Sequence, residues 1–176
     1  MQYKMVTDGP YQWIGATMTT VIKNGGSDIG PFLRKHYVAH IPTITTVGLE
    51  AEDPGIFLQR QQENNTLARI PNKVDSHLTF SGYTDYSRPI SFESTYTYIL
   101  GAFVTNFATV PDDMKMGTVP ATKFAVFTVK GPAYKVVPEF WQWLWSKPHD
   151  FERAFSFDYE LYDSASDEIK IYISIL

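Results

Sequence analysis

The sequence contains no cysteine, which excludes disulfides, thiolate metal sites and thiol nucleophiles together and fits a reducing compartment. It has no run approaching the ~18 consecutive apolar residues of a membrane-spanning helix. The opening residues Met1-Gln2-Tyr3-Lys4 lack the apolar stretch of a secretory signal, so a cytoplasmic protein is the default expectation. Basic charge is also scarce. The 15 Lys and Arg form no run longer than the pair Arg34-Lys35, against 19 Asp and Glu, for a net charge of -4 and a sequence pI near 5.5. Binding to nucleic-acid phosphate needs a concentrated basic surface, so direct contact with nucleic acid is not expected. The standard catalytic signatures are missing too: G-x-S-x-G, the Walker loop, the dinucleotide glycine pattern and H-E-x-x-H.

Aromatic side chains are abundant. The chain of 176 residues holds 11 Tyr, 12 Phe and 4 Trp within a hydrophobic content of 44%, enough for one continuous core with rings left over to line a site. One domain over residues 1–176 is expected.

Along the chain, Trp13 to Val21 has strand character and Asn24-Gly25-Gly26-Ser27-Asp28 is a turn cluster, after which Ile29 to Val38 fits a short helix capped by Asp28. The β-branched run Ile41 to Glu50 predicts a strand. Asp53-Pro54-Gly55 places an N-cap before a proline, opening a helix that is expected to run to about Ala68 and to stop at Pro71-Asn72-Lys73. His77 to Tyr86 and Tyr96 to Phe107 read as neighbouring antiparallel strands around the loop Ser87-Arg88-Pro89. The second half repeats the pattern. A strand at Phe124 to Val129 precedes a helix from about Val136 to Ser146, with Val137, Phe140, Trp141 and Leu144 on one stripe, and then strands at Phe157 to Tyr162 and Glu168 to Ile175. The expected fold is therefore α+β: two β-α-β-β modules, about 41–110 and about 111–176, that join an antiparallel sheet with two main helices and leave a ligand cleft at the seam. Residues 1–40 stand apart as an atypical start.

Two candidate sites follow from spacing. His36 and His40 are four apart, but their region is expected to leave helix at the β-branched run and offers no acidic third ligand, so no metal site is expected; His77 and His149 fall in or near loops and strand ends. The segment Phe157-Asp158-Tyr159-Glu160-Leu161-Tyr162-Asp163 carries more. Period two sends Phe157, Tyr159 and Leu161 to one face and Asp158, Glu160 and Tyr162 to the other. With Tyr172 from the next strand placed beside Glu160 and Tyr162, a carboxylate among rings would suit a flat cation through charge and cation–π attraction. Pattern alone favours an ordinary solvated acid over such a site.

From about residue 41 onward the sequence resembles the GyrI-like family, the effector-binding domain of AraC-type and related transcription activators. The resemblance is carried by Ala68-Arg69-Ile70-Pro71-Asn72-Lys73 with Tyr83-Thr84-Asp85-Tyr86, and by Tyr96-Thr97-Tyr98-Ile99-Leu100-Gly101. It continues in Val119-Pro120-Ala121-Thr122-Lys123-Phe124-Ala125-Val126-Phe127 with Gly131-Pro132, and in Trp141, Trp145, Asp158-Tyr159-Glu160-Leu161-Tyr162 and Ile169-Lys170-Ile171-Tyr172-Ile173. Where the family usually has Tyr, this chain has Phe124. The resemblance implies a pseudo-two-fold pair of modules, no cofactor, and a pocket for amphipathic, cationic, lipophilic compounds, as in multidrug-sensing members. Glu160 is the implied acidic residue and Tyr162 shares its wall. Trp141, Trp145, Tyr96, Tyr98 and Tyr172 are candidates from ring type and position, with core packing an equal alternative for the two tryptophans. The chain holds neither the length nor the basic charge of an attached helix-turn-helix, so a stand-alone sensor or sequestering module is expected, as a homo-oligomer or acting with a separate regulator protein. Two alternatives stay open: hydrolysis of strained electrophilic compounds with Glu160 as general base, and a protein-interaction module resembling the gyrase-inhibiting members.

Overall fold

The longest strands form where β-branched and aromatic residues alternate with small or polar ones. In the computed structural model, which describes residues 1–22, 54–91, 93–146 and 148–176, these are β2 (Tyr11–Val21) and β4 (Thr95–Val104), paired antiparallel. With β1 (Lys4–Asp8), β3 (Leu78–Thr84), β5 (Lys115–Val119), β6 (Thr122–Lys130), β7 (Phe157–Asp163) and β8 (Glu168–Ile175) they make one sheet of eight antiparallel strands among the described residues, in the order β1-β6-β8-β7-β3-β4-β2-β5. The helices that lie wholly within the described residues are α1 (Pro54–Glu63), the short α2 (Thr66–Arg69) and α3 (Ala133–Ser146).

The order has an internal two-fold symmetry. β6-β8-β7 on one side mirrors β2-β4-β3 on the other, and the halves meet where β3 pairs with β7. Each half is a β-α-β-β unit, as expected. The opening strand of the first half differs from the expectation, because β2 occupies the place beside β4 that β6 occupies beside β8. That unit therefore begins at Tyr11, within the stretch expected to stand apart. The run Ile41 to Glu50, the helix expected at Ile29 to Val38 and the pair His36 and His40 lie outside the described residues.

Two further departures have local causes. The helix expected to reach Ala68 is interrupted at Asn65, whose φ of 50° is left-handed, a conformation that asparagine adopts more readily than most residues. The edge strands β1 and β5, five residues each, were not legible in the sequence because they are too short to show a period. The close crossing of β2 and β4 depends on facing glycines. A Cβ on Gly101 would stand 2.5 Å from the Ile14 carbonyl oxygen, and one on Gly15 would stand 2.6 Å from that of Leu100.

The helices cover one face of the sheet. The α3 stripe Val137, Phe140, Trp141 and Leu144 is buried against Phe127 and the alternate isoleucines of β8, Ile169, Ile171, Ile173 and Ile175. Phe57 of α1 packs edge-on to Tyr98 at 5.8 Å. No described helix covers the other face, yet Phe80, Ile99, Val119 and Phe124 there are fully buried. The sheet curls over them: Gly9 and Pro10 alone join β1, at one end of the order, to β2, next to the other end. Exposing those rings and branched chains would each cost about 1.5–3 kcal/mol, so the curl is held by the residues it encloses.

Candidate functional site

The seam between the halves fixes which side chains meet. On β7, Asp158, Glu160 and Tyr162 share the helix-covered face. The register pairs Ser81 with Glu160, Tyr83 with Asp158 and Thr79 with Tyr162 on β3, then Tyr83 with Tyr98 and Ser81 with Leu100 on β4. Because paired residues point the same way, Ser81, Tyr83, Tyr96 and Tyr98 stand on that face as well. α3 lies above and directs Trp141 down onto it.

Glu160 is 2% exposed, and its carboxylate is held by three donors. Tyr83 Oη donates to Oε1 at 2.7 Å, Tyr162 Oη donates to Oε2 at 2.5 Å, and the Trp141 indole N–H donates to Oε1 in a short hydrogen bond. The rings behind these donors form a continuous wall. Tyr83 contacts Trp141 at 4.9 Å, Tyr98 at 5.4 Å and Tyr96 at 5.8 Å between centroids, and Tyr98 Oη is tied to Ser81 Oγ at 2.9 Å. No basic side chain among the described residues forms an ion pair with Glu160. Burial pushes its carboxyl above the ordinary value, while the hydrogen bonds from Tyr162, Trp141 and Tyr83 pull it back toward ionisation. The same burial, reinforced by the nearby Glu160 charge, raises the Tyr83 and Tyr162 hydroxyls far above their usual range, so both remain donors. The carboxyl group is thus enclosed by aromatic side chains that point their hydrogen-bonding edges at it.

A second polar cluster adjoins it. Asp158 is completely buried, and four donors engage it. The Ser174 backbone N–H and Oγ reach Oδ1 at 2.7 and 2.8 Å, while Arg153 Nη2 at 2.7 Å and Tyr86 Oη at 3.0 Å reach Oδ2. The Arg153 guanidinium lies 4.1 Å from the Phe155 ring centroid, 4.5 Å from that of Trp145 and 5.9 Å from that of Trp141. Trp141 therefore belongs to both clusters, its N–H on Glu160 and its ring toward Arg153.

Of the residues singled out in the sequence, Glu160, Tyr162, Trp141, Tyr96 and Tyr98 are brought together around one carboxylate. Trp145 lies one step away, 6.0 Å from Phe155, within the Arg153 cluster. Tyr172 is not beside Glu160. The β7–β8 register pairs it with Tyr159, on which it stacks at 4.2 Å and 7° on the opposite face of the sheet, while Ile171 is the residue facing Glu160. Period two along β8 already separates Tyr172 from the isoleucines; only the register shows that the isoleucines own the Glu160 face. Sequence reasoning missed Tyr83 and Arg153. Tyr83 had a usable signal, an aromatic in the middle of a strand predicted to border the site. Arg153 had none, since it stands in a loop. Among the described residues, no group of three His, Asp or Glu is placed to hold a metal ion.

A family model described as Cass2, integron-associated effector binding protein, matches residues 38–175. The chain belongs to this family. The family is described as effector-binding, and the chain has the fold expected from the GyrI-like resemblance. The Bacillus subtilis (strain 168) protein named "Putative transcriptional regulator protein YobU" is 31% identical over an alignment of 101 positions that covers 53% of this chain and 61% of YobU. The chain thus spans about three fifths of the length of that curated relative. Among solved structures, an integron cassette protein from the mobile metagenome of Vibrio cholerae superposes with a TM-score of 0.69 at 16% identity, covering 99% of this chain and 95% of the other. SAV2435, solved bound to tetraphenylphosphonium, gives 0.61 at 15% identity over 100% and 94%. At these identities the two structures speak to the fold alone. No described helix is long and apolar enough to cross a membrane.

Proposed function

We propose that this Cass2-family protein takes up an aromatic, lipophilic cation over Glu160, in drug sensing or sequestration. The observation that carries the proposal is the buried Glu160 carboxylate, which has three neutral donors and no basic partner among the described residues. Neutral donors orient the carboxylate but leave its charge unbalanced, and a buried charge gains most from an opposite charge brought into the same low-dielectric enclosure. The rings of Tyr83, Trp141, Tyr96 and Tyr98 offer π faces to the same cation, each worth about 0.5–2 kcal/mol. Tyr162 is the half-buried member of the set, and its rotation would open Oε2 to an arriving ligand. The tetraphenylphosphonium bound to SAV2435 is a cation of this class.

Calorimetric titration with tetraphenylphosphonium and with tetraphenylborate tests the charge rule, because the two ions share a shape and differ in sign. Saturable binding of the phosphonium, with the borate rejected, is expected. Equal binding of both ions would show a lipophilic cleft without charge selection and would end the proposal.

A further inference from the structure

The second cluster has a feature that the uptake of a cation leaves unused. The Arg153 side chain is 9% exposed, and only its Nη2 is engaged, by Asp158. Nε and Nη1 are buried without an acceptor among the described residues. Buried guanidinium N–H groups are seldom left unpaired, since each has lost its water. Asp158 cannot serve them, because its two oxygens already accept four hydrogen bonds. The rings of Phe155, Trp145 and Trp141 flank the guanidinium and hold it in place. A rigid fork of donors is thus left without an oxygen from any described residue.

We propose that Arg153 is a second recognition element of the ligand site, whose free N–H groups receive a neutral carbonyl oxygen carried by the same ligand that places its cation at Glu160. This rests on the proposed binding of a cation at Glu160. Three observations define the ligand further. Arg153 and Asp158 form a one-to-one ion pair, so the fork carries donors but little net charge and favours a neutral carbonyl over a carboxylate. Asp158, which holds Arg153, and Glu160 are two residues apart on one face of β7, which sets the backbone anchors of the two recognition points roughly 7 Å apart by strand geometry. Trp141 bridges them, with its N–H on Glu160 and its ring near Arg153, so the body joining cation to carbonyl should be a flat ring. A carbonyl para to a cationic centre on one aromatic ring meets all three conditions.

The probes are triphenyl(4-acetylphenyl)phosphonium and triphenyl(4-isopropylphenyl)phosphonium, which match in charge and shape and differ in the carbonyl. Calorimetry on the full chain should show the acetyl compound binding about tenfold tighter, the worth of one charge-assisted hydrogen bond. Arg153→Lys, and the charge-balanced pair Arg153→Met with Asp158→Asn, should reduce that ratio to within about twofold. Glu160→Gln should weaken both compounds and leave the ratio intact, which separates failure of the carbonyl site from failure of the cation site. A ratio near one in the native protein, or a ratio that both Arg153 variants preserve, would overturn the proposal. A readout independent of the cation is the Arg153 Nε–H resonance in nitrogen-15 NMR, assigned by its loss in Arg153→Lys. It should move on titration with neutral acetophenone and stay fixed with isopropylbenzene; a resonance unmoved by acetophenone would mean that water alone serves these groups and would overturn the proposal whatever the phosphonium compounds do.

Discussion

Replacing Glu160 by Gln removes one charge from the centre of the cage and keeps the side chain's volume, so it isolates electrostatics from packing. A phosphonium centre held about 6 Å from the carboxylate, at an effective dielectric near 20, gains about 2.8 kcal/mol from that charge. Burial raises the Glu160 carboxyl above the ordinary value of 4.5, so the comparison is made at pH 8, where ionisation is favoured, and solvent screening lowers the figure. The expected loss in tetraphenylphosphonium affinity for Glu160→Gln at pH 8 is therefore about 30- to 100-fold, read by calorimetry or by quenching of the Trp141 fluorescence. The same variant should gain stability. With the folded value raised above the unfolded one, the folded state holds its proton more tightly. The stabilising contribution of this group is complete below the unfolded value near 4.5 and is lost as pH climbs through the raised folded value. Glutamine escapes that loss, so the melting temperature of Glu160→Gln relative to the native protein should rise from pH 4.5 to pH 8. Equal phosphonium affinities at pH 8 would refute the charge-selecting role of Glu160, and a melting-temperature difference that ignores pH would refute the raised carboxyl.

Three further outcomes are expected. Tyr83→Phe removes one donor from Glu160, so it should cost about 1.5–3 kcal/mol of stability in urea unfolding and shift the rise of phosphonium affinity with pH to higher pH, since a hydrogen bond that favours ionisation is gone. Trp141→Phe should weaken phosphonium binding at least severalfold, whereas Tyr172→Leu, on the opposite face, should leave it within twofold while losing about 0.5–1.5 kcal/mol from the stack with Tyr159; titration and unfolding of the two variants side by side check the assignment of faces. Gly101→Ala should destabilise the fold by about 1–3 kcal/mol through collision with the Ile14 carbonyl, and thermal unfolding without a change in ligand selectivity is the sign that the damage is confined to the β2–β4 pairing.

The sequence by itself determined the class of fold, the second β-α-β-β unit and which residues of β7 share a side with Glu160. These are local properties: period two in Phe157 to Tyr162 and in Ile169 to Ile175, the i, i+3, i+4 stripe of α3, and proline and glycine at the breaks. A residue's face along one strand follows from its own neighbours in sequence. Tertiary structure decided what stands opposite. Tyr172 and Glu160 were placed on one face until the register paired Tyr172 with Tyr159, because alternation fixes faces within a strand and says nothing of how two strands align. The place of β2 beside β4, 86 residues away in sequence at the Gly15–Gly101 pair and invisible as a module's opening strand, was likewise a matter of sheet order. Arg153 entered the site only because the chain before β7 folds back toward Asp158, and Glu160 is buried because α3 closes over the rings that β3 and β4 set beside it. A carboxylate becomes a selector of charge through what excludes water from it, and that enclosure is contributed by β3, β4 and α3 together.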